Sequence, residues 1–157
     1  MSRDANHPPF THIVSGGQTG VDRAALDVAL DLGLPCGGWC PKGRRAEDGP
    51  IPAKYPLHEA PTEHYPQRTA LNVRDSDGTL ILTAGEPDRG TALTRELAER
   101  YGRPLLVVDL DGQPSAQAVR EWGRASGVAV LNVAGPRESS RPGIHDRAAA
   151  FLREVLG

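Results

Sequence analysis

Short apolar runs return along the chain at regular intervals, and the stretches between them carry hydrophobic residues at helical rather than alternating spacing. The runs fall at residues 12–15, 36–40, 79–83, 104–110 and 128–133, and the amphipathic segments at 21–32, 65–75, 90–101, 115–126 and 143–156. Gly33, Gly102 and Gly127 stand just beyond three of these segments, where a left-handed glycine closes a helix. The pattern reads as a β-α unit repeated five times. Leu80-Ile81-Leu82 and Leu105-Leu106-Val107-Val108 are apolar at consecutive positions, so both faces of those strands are covered. This predicts one doubly wound α/β domain over residues 12–157, with a mainly parallel five-stranded sheet, behind a flexible N-terminal stretch 1–11.

Two interruptions carry more information than the rhythm itself. The first is Ser15-Gly16-Gly17-Gln18-Thr19-Gly20-Val21-Asp22-Arg23, a glycine turn between the first strand and the first helix. Glycines let main-chain N–H groups approach an anion, and the free amides and dipole of the following helix favour negative charge there. The spacing matches neither the dinucleotide nor the Walker pattern, so it predicts an anion-binding turn without naming the ligand. The second is the stretch 41–66, which carries Pro41, Pro50, Pro52, Pro56, Pro61 and Pro66 without periodicity. It is a long stiff loop, read either as a binding lid or as a packed insertion.

Composition narrows the function classes. The chain has 157 residues, 38% hydrophobic, enough for one packed core. A net charge of −2 supplies no global field toward nucleic acid or anionic lipid. No apolar run has the length of a membrane span, and the N-terminal ten residues lack the apolar centre of a signal peptide, so a cytoplasmic protein with no membrane or nucleic-acid partner is expected. Cys36 and Cys40 have neither zinc-knuckle nor redox-pair spacing and read as small core hydrophobes. The five histidines form no ligand pair and read as surface or turn residues, so no metal ligands are assigned.

In an open parallel sheet ligands bind beyond the carboxyl ends of the strands, and four of the following turns are chemically loaded. These are 16–23, 41–49, 85–91 and 134–139. Gly90-Thr91 opens a helix that can hold a second anionic group, with Lys42, Arg44 and Arg45 closing over it from the loop. Glu47 and Asp48 offer the alternative, a neutralised structural network. Arg68 and Asn72 share a helix face beside Thr69 and are candidates for the pocket rim. Asn132 ends the fifth strand, where it can hydrogen-bond a heterocycle. Trp39 and Trp122 read as packing residues, and Asp22 and Glu138 as helix caps. No nucleophile-base pair or metalloprotease motif occurs, so no catalytic residue is assigned and the inventory is that of a binder.

The segments 16–25, 38–44, 46–49 with Ile51-Pro52, Arg68-Thr69 with Asn72-Val73, Ser76-Asp77, and Asn132-Val133-Ala134-Gly135-Pro136-Arg137-Glu138-Ser139 occur in an order that resembles the putative molybdenum carrier family. That family lies in the Rossmann-like SLOG superfamily, and the resemblance covers residues 13–156. It implies a non-catalytic carrier of a phosphorylated heterocycle, the molybdenum cofactor or otherwise a phosphate-bearing nucleotide. The phosphate is expected on the amides of Gly16 to Gly20 or of Gly90-Thr91. The ligand-binding set becomes Gly16, Gly17, Gln18, Thr19, Gly20, Arg23, Lys42, Gly43, Arg44, Arg68, Asn72, Gly90, Thr91, Asn132 and Gly135. The superfamily also includes LOG-type phosphoribohydrolases with the motif Pro-Gly-Gly-x-Gly-Thr-x-x-Glu. Here Gly90-Thr91 remain, but Thr94 stands where the catalytic Glu would be and cannot act as a carboxylate. A nucleotide N-glycosidase using other groups, or a nucleotide-ligand sensor, are the alternatives. Association into a homo-oligomer, a dimer or tetramer, is what the superfamily resemblance implies.

Overall fold

The computed structural model describes residues 7–157. The elements run β1 (His12–Val14), α1 (Val21–Leu32), β2 (Cys36–Gly37), β3 (Trp39–Cys40), β4 (Arg45–Ala46), β5 (Gly49–Pro50), β6 (His58–Glu59), α2 (Tyr65–Arg74), β7 (Gly78–Thr83), α3 (Arg89–Tyr101), β8 (Leu105–Asp109), α4 (Ala116–Ser126), β9 (Val130–Ala134) and α5 (Ile144–Leu156). Five strands form an all-parallel sheet in the order β2-β1-β9-β7-β8. All six residues of β7 are buried, as its unbroken apolar run requires.

Three layers follow from which faces are apolar. On one side Leu80, Leu82, Leu131, Val133 and Ile13 pack against α1, α4 and α5 through Ala24, Ala25, Val28, Val119, Ala148, Leu152 and Val155. The alanines keep α1 and α5 close to the sheet. On the other side Val73 of α2 packs with Leu97 and Ala98 of α3. Left-handed Gly33, Gly102 and Gly127 close α1, α3 and α4.

The expected second strand over 36–40 is two pieces. Gly38 has φ of +130, and a Cβ there would collide with the Ser15 carbonyl oxygen, so the chain passes β1 at a distance only glycine permits. Cys36–Gly37 stay with β1, while Trp39–Cys40 peel away and pair with β6. The loop 41–66 is thereby carried back over α1, where Ile51, Tyr55 and Leu57 join Leu26 and Cys40 in a second small core. The Arg44 guanidinium ties that loop together, donating to the carbonyls of Ile51, Pro52, Tyr55 and Leu57 at 3.3, 2.9, 3.0 and 3.2 Å. The loop is a packed insertion.

The N-terminal end also departs from expectation. Residues 1–6 lie outside the described residues, but the stretch from 7 to 11 is docked rather than free. Phe10 is 3% exposed in the main core, and its ring lies where a side chain at Gly123 would stand, 2.5 Å from a Cβ built there. Apolar burial of one aromatic outweighs the polar composition around it. Among the described residues no helix is long and apolar enough to cross a membrane.

Phe10→Ala should lower the unfolding free energy by roughly 3–5 kcal/mol through the cavity it leaves, and Gly123→Ala by about 1–3 kcal/mol through overpacking. Urea unfolding measures both, and wild-type midpoints in the two variants would show that residues 7–11 contribute nothing to the core.

Candidate functional site

The carboxyl ends of β1, β9 and β7 open on one cavity of about 450 Å³. Gly16, Gln18 and Asp22 form one wall, and Arg68, Thr69 and Asn72 of α2 another. Gly90, Thr91 and Thr94 of α3 and the segment from Asn132 to Arg137 close it, with Tyr65, Ile81, Leu93 and Val133 as apolar surface. The i, i+4 spacing that puts Arg68 and Asn72 on one face turns both inward; they are 9% and 2% exposed.

Three amides of the glycine turn, those of Gly16, Gln18 and Thr19, are taken up from within. Gln18 N–H donates to Asp22 Oδ2 at 3.3 Å, the Gly16 amide also supports that carboxylate, and Thr19 N–H donates to Gln18 Oε1 at 3.0 Å. Arg68 Nη1 reaches the Gly16 carbonyl at 2.9 Å and Asp22 Oδ2 at 3.5 Å. The helix start is filled from within, because a carboxylate two residues into α1 lies closer than any ligand. Burial pushes the Asp22 pKa from 3.8 to about 6, against the opposing pull of Arg68 and the Gln18 amide.

The second expected anion position is filled in the same way. Asp88 caps α3, accepting from the Thr91 N–H at 3.0 Å and lying 3.3 Å from the Thr91 hydroxyl. Thr94 is buried and its hydroxyl turns back to the Gly90 carbonyl at 2.9 Å. Glu96 points outward to Arg100 at 3.5 Å. Asn132, 3% exposed, donates to Thr79 Oγ1 at 3.1 Å at the cavity floor. Asn72 grips both main-chain groups of Trp39, accepting from its N–H at 2.7 Å and donating to its carbonyl at 3.0 Å. At Gly135 a Cβ would strike the Leu82 carbonyl oxygen.

The structure thus brings Gly16, Gln18, Arg68, Asn72, Gly90, Thr91, Asn132 and Gly135 to one cavity, and seven expected residues lie elsewhere. Gly17 faces the loop core, with Leu57 Cδ1 2.5 Å from a Cβ built there. Arg23 binds the Gly17 carbonyl and pairs with Asp48 at 2.6 Å. Thr19, Gly20 and Arg23 line a separate shallow recess with Glu47, Asp48, Glu138, Ser139 and His145. Lys42 is exposed, Gly43 N–H donates to Glu59 Oε1 at 2.6 Å, and Arg44 serves the loop's own carbonyls. Arg45 pairs with Glu63. The cations expected over Gly90-Thr91 do not converge there, because the packed loop turns Arg44 and Arg45 to its own acceptors and leaves Lys42 exposed.

Sequence reasoning missed Asp22 as part of the cavity wall; its position in the first helical turn signalled only a cap. Glu47, read as a neutraliser of the loop cations, instead bridges the turns after β1 and β9 with its carboxylate. Hydrogen bonds from Ser139 and then Thr19 hold that carboxyl below the usual range. Glu138 accepts from the N–H groups of Gly143 and His145 at 2.6 and 3.0 Å, capping α5. His145 lies between Asp27 at 2.8 Å and Asp146 at 3.0 Å. Burial opposes its charge, but the bonds to Asp146 and Asp27 prevail and raise its pKa. Cys36 and Cys40 are free thiols outside the cavity, both pushed up by burial. Among the described residues no group of three or more His, Cys, Asp or Glu is placed to hold a metal.

Residues 13–156 match the model of the circularly permutated YpsA SLOG family. A solved structure, described as a putative molybdenum carrier protein from Syntrophus aciditrophicus SB, is 46% identical, with a TM-score of 0.93 over 96% of this chain and 97% of that one. No functionally curated protein matches the chain significantly.

Asp22 generates a pH signature. Its folded pKa of about 6 lies above the ordinary 3.8, so the native state binds more protons than the unfolded chain between those values. The stability it contributes is complete below about pH 4 and lost as pH rises through about 6, on the order of 3 kcal/mol. In urea unfolding from pH 4 to 7, Asp22→Asn should gain on the wild type by that amount as pH rises; a constant difference would show that Asp22 titrates normally.

Proposed function

The chain belongs to the circularly permutated YpsA SLOG family, and from that membership we propose that it is a non-catalytic binding protein taking a phosphorylated heterocycle, first the molybdenum cofactor, into the cavity at the carboxyl rim of its sheet. The observation that carries this reading is the make-up of the cavity. Tyr65 and Leu93 give apolar surface for a flat ring above the buried Ile81, and the buried polar groups of Asp22, Arg68 and Asn132 line the same cavity. About 450 Å³ lies within the range of small-molecule sites. The name of the 46% identical relative supports the choice of cofactor. With the amides of Gly16, Gln18, Thr19 and Thr91 engaged by Asp22, Gln18 and Asp88, the phosphate belongs at the outer edge, where Arg89 and Arg137 stand. The cavity offers no thiolate, so the metal would travel on its own organic ligand as cargo.

One observation favours a second reading, the nucleotide N-glycosidase. A buried carboxyl with a pKa of about 6 is poised for proton transfer, and Asp22 lines the cavity. Against it, the hydroxyl of Thr94 is committed to Gly90 and supplies no carboxylate.

Native mass spectrometry of protein purified anaerobically, with metal analysis, tests the proposal. The expected result is a bound pterin phosphate with molybdenum, and the same spectra report whether the chain associates as a dimer or tetramer. A retained nucleotide without metal, with free base released from nucleoside monophosphates, would replace it by the second reading. In anaerobic titration with the molybdenum cofactor, Asn132→Leu should lose roughly 10–100-fold in affinity, the cost of one unsatisfied buried hydrogen bond. Unchanged affinity would move the ligand out of this cavity.

A further inference from the structure

Glu47 is held by more donors than the anchoring of a loop requires. Its Oε1 accepts from Ser139 Oγ at 2.5 Å, and its Oε2 accepts from the Ser139 N–H at 3.1 Å and from the Thr19 hydroxyl. Arg137 Nε lies 3.8 Å from Oε1. The Thr19 hydroxyl is itself oriented, because it accepts from the Glu138 N–H at 3.1 Å and so turns its proton toward Glu47. The loop has other anchors: the Glu47 N–H donates to Gln18 Oε1 at 2.9 Å, and Ile51, Tyr55 and Leu57 are packed.

Three donors, two hydroxyls and a main-chain amide, with a guanidinium at ion-pair distance, converge from the turns after β1 and β9 on one small anion. They suit the oxygens of a tetrahedral oxyanion as well as those of a carboxylate. The next residue repeats the arrangement, since Asp48 pairs with Arg23 at 2.6 Å. Two adjacent acids on one loop therefore cover two arginines on the rim. The position adjoins the ligand cavity, because Arg137 and Gln18 line that cavity as well as touching Glu47. The Glu47 side chain is 19% exposed, so it can leave for water without crossing the core.

We propose that the seat of Glu47 is an oxyanion subsite, which takes the phosphate of a bound ligand or a free tetrahedral oxyanion, and that Glu47 is the resident carboxylate which the incoming anion displaces. The proposal rests on the reading of the neighbouring cavity as a ligand site for the molecule that would bring a phosphate; the seat itself is independent of the heterocycle.

Glu47→Gln keeps the size and one acceptor but removes the charge that competes for the seat. In calorimetric titrations at fixed ionic strength, inorganic phosphate or molybdate should bind this variant about tenfold more tightly than the wild type, as expected from loss of a like charge within a few ångströms. Adding Ser139→Ala or Thr19→Val should cancel the gain. In the wild type, saturating anion should hasten tryptic cleavage at Arg45 and Lys54 as Glu47 lets go. Glu47→Ala provides the same comparison should the amide disturb the turn. Preference for molybdate would assign the seat to a free oxyanion, and preference for phosphate to a phosphorylated ligand. Equal affinity of wild type and both Glu47 variants, or a gain that survives Ser139→Ala, would overturn the subsite. Because the probes are inorganic anions, tight phosphate binding by Glu47→Gln beside a wild type that never retains a pterin would reject the carrier reading and keep the subsite; the opposite pair of results would do the reverse.

Discussion

The close passage of Gly38 over Ser15 is the constraint from which the functional rim takes its form. A side chain at Gly38 would occupy the place of the Ser15 carbonyl oxygen, so the chain makes this crossing only with glycine. Once it is made, Trp39 and Cys40 leave the main sheet, and Asn72 of α2 grips Trp39 from both main-chain sides. The departure of that strand sends the loop back across α1 rather than away from the body. Its arrival brings Glu47 to the turns after β1 and β9, more than ninety residues apart from Ser139 in sequence by position 47 and 139.

The electrostatics of the rim are those of a surface already balanced. Asp22 fills the first glycine turn, Asp88 caps α3, Glu138 caps α5, and Glu47 sits between Thr19, Ser139 and Arg137. Three of the five helix starts, those of α1, α3 and α5, thus have a carboxylate of their own. Of these acids Asp22 bears the strongest desolvation, and its partner Arg68 is 9% exposed, so the pair sets the polarity of the cavity wall. On the proposed displacement of Glu47, selectivity would come from which internal carboxylate yields, and not from a permanent positive field.

The fold was legible because periodicity is local. The runs around Leu80 and Leu131 and the glycines closing α1, α3 and α4 each declare their element within a few residues. That Arg68 and Asn72 share one face followed from their spacing on one helix, although its inward direction did not, and Asn132 stood out by its place at a strand end. What sequence could not carry were the partners of charged groups. Asp22 meets Arg68 across 46 residues, and Glu47 meets Ser139 across 92. The Lys42 to Arg45 cluster misled for the same reason: Arg44 and Arg45 are satisfied by carbonyls and an acid of the loop, whose path depends on one crossing at Gly38, and Lys42 is left exposed. Phe10 escaped notice because a single aromatic in a polar tail shows its value only where Gly123 leaves it room.

The four carbonyl bonds of Arg44 have a dynamic consequence. With one guanidinium joined to Ile51, Pro52, Tyr55 and Leu57, the two acids at 47 and 48 are bordered by a segment that opens as a single cooperative unit rather than fraying residue by residue. Release of Arg137 would then be coupled to release of Arg23, and the rim would change its charge in one step. Such a surface would respond to a displacing anion as a threshold device, quiet until the whole unit lifts.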